Sequence, residues 1–202
     1  AGDHWILNGE KMWITNAGYA DLFVVYCTTD PTLKHKGLSA IVVTKDMAGI
    51  HIGKKEHKLG QNCSDTRGIR FENVKVPKEN TLGNAGDGWA IAMKTLDHSR
   101  PMVAAIALGG SQRALDLSVA YANERKQFGV PLAKHQAIQF IIAEMAMKIE
   151  ASRLLIQKAA SMADNGVRHT IVASSAKAFA ADSCMQITTD AVQVYGGYGY
   201  SK

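Results

Sequence analysis

The pattern of hydrophobic and polar positions changes its period near residue 85. Before that point, short runs rich in β-branched and aromatic residues alternate with turn residues, which is typical of strands. The predicted strands are His4–Leu7, Lys11–Thr15, Phe23–Thr28, Ser39–Thr44, Ile50–Lys54 and Ile69–Val76. Asn8-Gly9 separates the first two and predicts a tight hairpin, because both residues accept positive φ angles. Six strands without intervening helices predict an antiparallel sandwich or barrel over residues 1–85.

From residue 86 onward, apolar residues recur at the spacing of a helix. Ile138, Ile142, Met145, Ile149 and Ile156 mark one face of a helix predicted over about 134–164. Further helices are predicted over about 168–194 and from Gly88 to about Lys126, where Pro101 marks a kink or a junction. Small residues along these long helices predict a closely packed bundle over residues 86–202. The predicted fold class is therefore α+β, with an antiparallel β domain followed by a helical domain.

Composition narrows the possible classes of protein. Hydrophobic residues make up 47% and charged residues 20% of the 202 positions, which excludes a disordered chain. The net charge of +5 is dispersed along the sequence, so we expect no nucleic-acid binding. The apolar runs are too short to insert in a membrane. The three cysteines lie far apart and the histidines lack ligand spacing, so we expect no metal.

Lys11–Asn16 is the first candidate binding segment. Alternation along the second strand of the hairpin places Trp13 and Thr15 on the same face. An aromatic plane beside a hydroxyl suits a flat heterocycle, which would stack on one and accept a hydrogen bond from the other. An ordinary cross-strand pair of the two residues is the alternative.

Two further candidates lie at predicted helix ends. Arg125 ends one helix, where it can bind phosphate or stabilise the helix dipole. The glycines of Gln193–Gly199 allow a ligand to approach the backbone, or they cap the preceding helix. This run lacks the strand-before, helix-after context of a nicotinamide fingerprint.

The run Asp97–Pro101 contains an acid, an imidazole, a hydroxyl and a guanidinium. Neighbouring residues on a helix point in different directions, so a Ser/His/Asp triad is excluded as the interpretation. Asp97 and Arg100 are better interpreted as a polar rim for ribose or phosphate, or as a solvated face.

Together, these motifs give the chain a resemblance to the acyl-CoA dehydrogenase family of flavoproteins, and most of all to its short- and medium-chain straight-chain members. The resemblance covers essentially the whole chain. It is carried by Lys11–Asn16, Gly60–Gly68, Asp97–Pro101, Arg125–Gly129, His135-Gln136 and Gln193–Gly199. It implies a middle β domain, residues 1–85, and about three of the four helices of a C-terminal domain, residues 86–202. We therefore expect a fragment that lacks an N-terminal helical domain and the C-terminal end.

The resemblance also implies a cofactor, a reaction and residue roles. The family oxidises acyl-CoA to trans-2-enoyl-CoA in fatty-acid β-oxidation with FAD, and electron-transferring flavoprotein takes the electrons. By this resemblance Asp97 and Arg100 contact the CoA portion of the substrate. The family also implies a homotetramer, built as a dimer of dimers, in which FAD is shared between neighbouring subunits. The residues that the resemblance assigns to FAD are Trp13, Ile14 and Thr15 near the flavin ring, and Arg125, Phe128, Gln136, Gln193, Gly196 and Gly197 near the adenosine and pyrophosphate.

One family residue has no counterpart in this sequence. Straight-chain members take their catalytic base from a Glu downstream of the Gly-Gly-x-Gly run, which would lie beyond Lys202. Other members carry it immediately before the Arg of Asp-x-x-Arg, where this sequence has Ser99. A serine hydroxyl cannot replace a carboxylate as base, so no catalytic residue is assigned and we expect the 202 residues alone to be inactive.

The alternatives are an acyl-CoA oxidase or nitroalkane-oxidising relative, and a non-catalytic scaffold with the same fold. The expected location is the mitochondrial matrix or a bacterial cytoplasm.

Overall fold

The structure, a computed structural model, describes residues 2–201. The chain divides into two compact units, residues 1–93 and 94–202. The first unit contains five strands and the second contains long helices, which confirms the predicted α+β class.

The five strands of the first unit form two antiparallel sheets. One sheet has the order β1-β5-β4, and the other pairs β2 with β3. The strands are β1 (His4–Thr15), β2 (Leu22–Thr28), β3 (Leu38–Thr44), β4 (Ile50–Ile52) and β5 (Thr66–Pro77). The two sheets share a core, which Phe23, Ile41 and Val43 enter from β2 and β3, and Ile69, Phe71, Val74 and Val76 from β5.

The predicted hairpin at Asn8-Gly9 is wrong, because β1 runs straight through it. The side chain of Asn8 makes both contacts: its Nδ2 donates to Asn73 Oδ1 at 3.2 Å, and its Oδ1 accepts from the backbone amide of Asn73 at 2.8 Å. Asn73 has a φ of 52° and is the extra residue of a bulge in β5. Asn8-Gly9 therefore faces a bulge on the partner strand, so the two predicted strands are one.

The second unit is built on three long helices, namely most of α1 (Gly88–Glu124), which begins in the first unit, together with α2 (Gln136–Asp164) and α3 (Thr170–Tyr195). A short turn of helix, α4 (Gly197–Tyr200), follows α3. Two very short strands, β6 (Lys126–Gln127) and β7 (Val130–Pro131), connect α1 to α2. The helix α1 is continuous through Pro101, so this proline is not a junction between two helices.

Small side chains line the buried stripe of α1. Ala104, Ser111, Ser118 and Ala122 are buried at heptad-like steps. The Ser118 hydroxyl donates to the carbonyl of Ala114 at 2.8 Å, four residues back, so its burial leaves no unpaired donor. Larger side chains fill the centre between the helices, namely Met145 and Ile149 of α2 and Ile187 of α3, packed against Leu108 and Leu115 of α1.

Candidate functional site

A pocket of about 420 Å³ opens in the helical unit where the ends of α1 and α3 meet the start of α2. The structure brings together four of the predicted cofactor residues here, although they come from two distant parts of the sequence. They are Arg125, Gln193, Gly196 and Gly197. The other residues lining this Arg125 pocket are Tyr121, Gln127, Leu132, Ile138, Val194, Tyr195 and Tyr198.

Gly196 gives the pocket its shape by ending α3. Its φ of 59° and ψ of −131° form a backbone conformation that side chains disfavour, so a glycine is required. Its amide donates to the carbonyls of Val192 and Gln193, both at 3.1 Å, which caps the helix. The predicted helix cap is therefore present. A Cβ added to Gly196 or Gly197 would meet no atom within 4 Å, so a ligand can approach this backbone.

Two tyrosines form an aromatic wall of the pocket. The rings of Tyr121 and Tyr195 stack with their centroids 4.2 Å apart and 11° between their planes. The Tyr195 hydroxyl donates to the carbonyl of Leu117 at 3.2 Å. Neither residue was among the predicted site residues. The signal was available for Tyr121, which lies one helical turn before Arg125.

Arg125 directly follows α1, and its backbone amide donates to the carbonyl of Tyr121 at 2.8 Å. Its guanidinium carbon lies 5.7 Å from the centroid of the Tyr198 ring, which is within range of a cation–π contact. The residue is exposed, so its charge is available to an anion in the pocket. A guanidinium held over an aromatic ring keeps its in-plane donors free for bidentate binding of phosphate.

Phe128 and Gln136, also predicted to bind the cofactor, lie outside the lining of the Arg125 pocket. Phe128 and Gly129 have φ angles of 53° and 82°, which form a type I′ turn between β6 and β7. The Phe128 ring at the tip of this turn is 95% exposed. Gln136 is the first residue of α2 and is exposed.

Trp13 and Thr15 lie at the end of β1 in the other unit, on a continuous strand rather than on a hairpin arm. Met12 and Trp13 together oppose Gly68 of β5, and Trp13 has a φ of 62°. This is a β-bulge, and it breaks the simple alternation on which the prediction relied. Trp13 is 67% exposed and Thr15 is exposed, while Ile14 between them packs against the core. Ile14 therefore presents only its backbone to a ligand.

Asp97 and Arg100 form an ion pair at 2.9 Å on α1. The other Asp97 oxygen accepts a 2.6 Å hydrogen bond from the Thr170 hydroxyl, and the Arg100 guanidinium donates to Ser174 Oγ at 3.2 Å. These contacts join α1 to the start of α3. The pair is partly exposed, at 20% and 31% of the side chains, which leaves part of each group open to a ligand.

His98 and Ser99, between these two residues, bond to their own helix. His98 Nδ1 lies 3.0 Å from the carbonyl of Lys94, and Ser99 Oγ donates to the carbonyl of Leu96 at 3.3 Å. The structure therefore gives no support to a triad in this run.

Within residues 2–201, the structure bears on membrane insertion and on metal binding. No helix in this range has the length and apolar character to cross a membrane. No group of three or more histidine, cysteine, aspartate or glutamate side chains in the same range could hold a metal ion.

Comparison with known proteins identifies the family. Residues 1–74 match the family "Acyl-CoA dehydrogenase, middle domain", and residues 86–202 match "Acyl-CoA dehydrogenase, C-terminal domain". The chain belongs to the acyl-CoA dehydrogenase family, as the sequence resemblance predicted.

Individual relatives match this chain in sequence or in structure along nearly its whole length. The probable acyl-CoA dehydrogenase FadE25 of Mycobacterium tuberculosis is 46% identical over 201 residues, which is 99% of this chain and 52% of that protein. Butyryl-CoA dehydrogenase from Megasphaera elsdenii is 46% identical with a TM-score of 0.97, over 100% of this chain and 53% of that one. A structure described as the electron transferring flavoprotein of Acidaminococcus fermentans contains a chain that is 48% identical to this one, with a TM-score of 0.96. The match covers 100% of this chain and 53% of that one. This chain spans about half the length of the relatives that it matches.

Proposed function

We propose that this chain forms the cofactor-binding and CoA-binding parts of an FAD-dependent acyl-CoA dehydrogenase, which converts an acyl-CoA to a trans-2-enoyl-CoA. The observation that carries the proposal is the Arg125 pocket. It combines one exposed guanidinium, an open glycine backbone and a stacked pair of tyrosines. These are the groups needed for the pyrophosphate and adenosine of a dinucleotide.

Each unit carries residues that fit one end of an FAD molecule. In the Arg125 pocket, Arg125 would bind pyrophosphate oxygens, while Gly196 and Gly197 allow the chain to approach them closely. On the other unit, Trp13 would pack beside the flavin ring, and the Thr15 hydroxyl would donate a hydrogen bond to it. Bound FAD would supply a two-electron acceptor for the β hydride of the substrate.

Asp97 and Arg100 are proposed to contact the CoA portion of the substrate. Arg100 keeps its side chain partly exposed although it is held by Asp97 and Ser174, so it can orient a CoA phosphate or ribose without being free to rotate away. Removal of the substrate α proton needs a carboxylate base, for which Ser99 is unsuited because its hydroxyl is bonded within its own helix.

The exposed Phe128 ring supports a proposed homotetramer in which Arg125 and Phe128 serve FAD across a subunit interface. A phenylalanine ring that is 95% exposed at the tip of a turn can bury its apolar surface against a partner subunit. We further propose that electron-transferring flavoprotein reoxidises the flavin, which agrees with the related chain found in the structure from A. fermentans.

The test is to purify the full-length protein that contains these residues, with FAD, and to add butyryl-CoA or octanoyl-CoA without oxygen. We expect a yellow protein whose flavin absorbance bleaches. Arg125→Ala should weaken FAD binding by about 10- to 100-fold, the loss expected for a charged hydrogen bond of about 1.5–3 kcal/mol, and should lower the tetramer content. Arg113→Ala is the matched control, because Arg113 is an exposed arginine on α1, the helix that precedes Arg125, and lies outside the pocket.

Full flavin occupancy in a tetrameric Arg125→Ala variant would contradict the assignment of the pocket. Peroxide formation at the rate of substrate oxidation in air would indicate an oxidase instead. A colourless protein that binds acyl-CoA would indicate a scaffold.

A further inference from the structure

Asp65 is a buried carboxylate that lies beside the end of β1, next to the turn that follows Trp13–Thr15. Its side chain is 1% exposed. One oxygen accepts a hydrogen bond from the Gly18 amide at 2.9 Å, and the Arg67 guanidinium donates to both oxygens, at 2.9 and 3.1 Å. Asp65, Arg67 and Gly18 are called the Asp65 cluster below. A buried charge is retained in a fold when it is fully paired in this way.

The Asp65 cluster fixes the backbone that follows Thr15 at two points. The Asp65 carbonyl accepts from the Asn16 amide at 2.9 Å, and the Asp65 side chain accepts from the Gly18 amide two residues later. The turn between them contains Asn16 at a φ of 62° and the fully buried Ala17. Lys45 Nζ donates to the carbonyl of Gly18 at 2.9 Å, so the Gly18 backbone is held on both sides.

The absence of a side chain at Gly18 leaves room for the guanidinium of Arg67. A Cβ at this position would lie 2.6 Å from Arg67 Nε and 2.7 Å from Cζ, closer than real contacts allow. The guanidinium therefore lies against bare backbone. It reaches a third segment as well, since Arg67 Nη1 donates to the carbonyl of Gly53 at 3.4 Å, next to the end of β4.

The bulge at Trp13 needs such support. A bulky aromatic residue with a positive φ costs about 1–3 kcal/mol and persists only where the surrounding structure fixes it. On one side of the bulge, β1 is held by its pairing with β5. On the other side, Thr15 pairs with Thr66 and Ile14 with Arg67, so the Asp65 cluster is the next support along the chain.

We infer that Asp65 is a positioning residue, whose buried carboxylate holds the turn after β1 and thereby sets the orientation of Trp13 and Thr15 toward the flavin. The inference rests on the proposed function. Asp65 does not touch the substrate or the cofactor in this role. It acts through the backbone of Asn16–Gly18, and its effect should appear in the flavin environment rather than in the affinity for acyl-CoA.

The experiment compares the full-length, FAD-loaded protein with its Asp65→Asn variant under anaerobic conditions. The amide side chain of the variant removes the negative charge that pairs with Arg67 and replaces one acceptor oxygen by an NH2 donor, which then faces either the Gly18 amide or Arg67 Nε. We expect flavin reduction by butyryl-CoA to slow about 10- to 100-fold, as for a misplacement of about 1 Å, with an altered visible flavin spectrum and an acyl-CoA KM changed less than about threefold. Asp30→Asn is the matched control, because Asp30 also accepts a backbone hydrogen bond in the β unit, from Thr32 at 2.9 Å, on a separate loop.

Arg67→Lys and Gly18→Ala disturb the Asp65 cluster but keep the carboxylate. If Asp65→Asn does not fold, these two variants are measured in its place. Both should shift the flavin spectrum and slow reduction. Lower thermal stability with an unchanged flavin spectrum and reduction rate in the folded variants would overturn the inference and leave Asp65 a purely structural residue. If the unmodified protein binds no FAD, the proposed function itself fails, which is a distinct result.

Discussion

The contact between Asp97 and Thr170 offers a quantitative test of what joins α1 to α3. Thr170 is the first residue of α3, and His169 before it makes no side-chain cap to this helix in the described structure. Asp97 therefore supplies from another helix the negative charge that helix N-termini favour. Replacing Asp97 by Ala should loosen the first turn of α3 and destabilise the helical unit.

The size of the effect follows from three contributions. The 2.6 Å hydrogen bond from Thr170 to a charged acceptor contributes about 1.5–3 kcal/mol when buried. The interaction with the helix dipole adds about 0.3–1 kcal/mol. The ion pair with Arg100 adds about 0.3–0.5 kcal/mol, because it spans one turn of a single helix and is partly exposed. We expect Asp97→Ala to lower the free energy of unfolding by about 2–4 kcal/mol.

The assay is a double-mutant cycle with Asp97→Ala and Thr170→Val, read by urea unfolding and by hydrogen exchange of the α3 amides. The coupling between the two residues should be about 1–3 kcal/mol, and the exchange of the first turn of α3 should accelerate most. Asp116→Ala is the control, since Asp116 only accepts from Gln112 on the exposed side of α1. A coupling below about 0.5 kcal/mol would refute the view that this contact holds the start of α3 to α1.

Three other predictions test separate parts of the structure. Thr15→Ala should change the flavin spectrum and slow flavin reduction, whereas Thr15→Ser keeps the hydroxyl and should restore both; equal rates in all three proteins would count against flavin contact. Burial raises the pKa of Asp65, but the Gly18 amide and the Arg67 guanidinium outweigh it, so this pKa lies below its ordinary value. The contribution of Asp65 to the free energy of unfolding should therefore be complete above the unfolded-state pKa of about 3.9 and lost as the pH falls through the lower native pKa. The Asp65→Asn variant should not show this loss of stability at low pH. Ile187→Ala should cost about 2–5 kcal/mol in thermal or urea unfolding because Ile187 is fully buried, and the half-exposed Val192→Ala should cost much less.

The helices were predictable because their signals are local. The observed α2 and α3 begin and end within about two residues of the bounds expected from apolar spacing and from Asn165-Gly166. The apolar face named from the sequence includes Met145 and Ile149, which the structure buries.

The errors in the β unit come from partners far along the chain. Asn8-Gly9 has the composition of a turn, but Asn73 on the partner strand decides that it continues a strand. The bulge at Trp13 depends in the same way on Gly68 opposite, where a Cβ would lie 2.9 Å from Met12 Sδ. No local pattern around residues 8 or 13 contains this information.

The residues of the candidate site also differ in whether local sequence or distant partners reveal them. Arg125 and the glycines could be selected because they lie at helix ends, where the sequence carries recognisable signals. Asp65 could not be selected, because one aspartate in a loop gives no sign of burial. Its importance follows from the position of Gly18 in space, 47 residues earlier in the chain.

The pairing of β1 with β5 also has a consequence for synthesis of the protein, because β1 is made well before the strand that it pairs with. His4 pairs with Pro77 and Thr15 with Thr66, so β1 leaves the ribosome about 50–70 residues ahead of its partner. At about 5–20 residues per second, β1 waits roughly 3–14 seconds with an unpaired edge and with Leu7 uncovered. An unpaired, partly apolar strand is open to pairing with other chains during that time. We expect slower translation between residues 15 and 66 to increase aggregation of nascent chains, whereas slower translation within α2, whose hydrogen bonds are local, should have little effect.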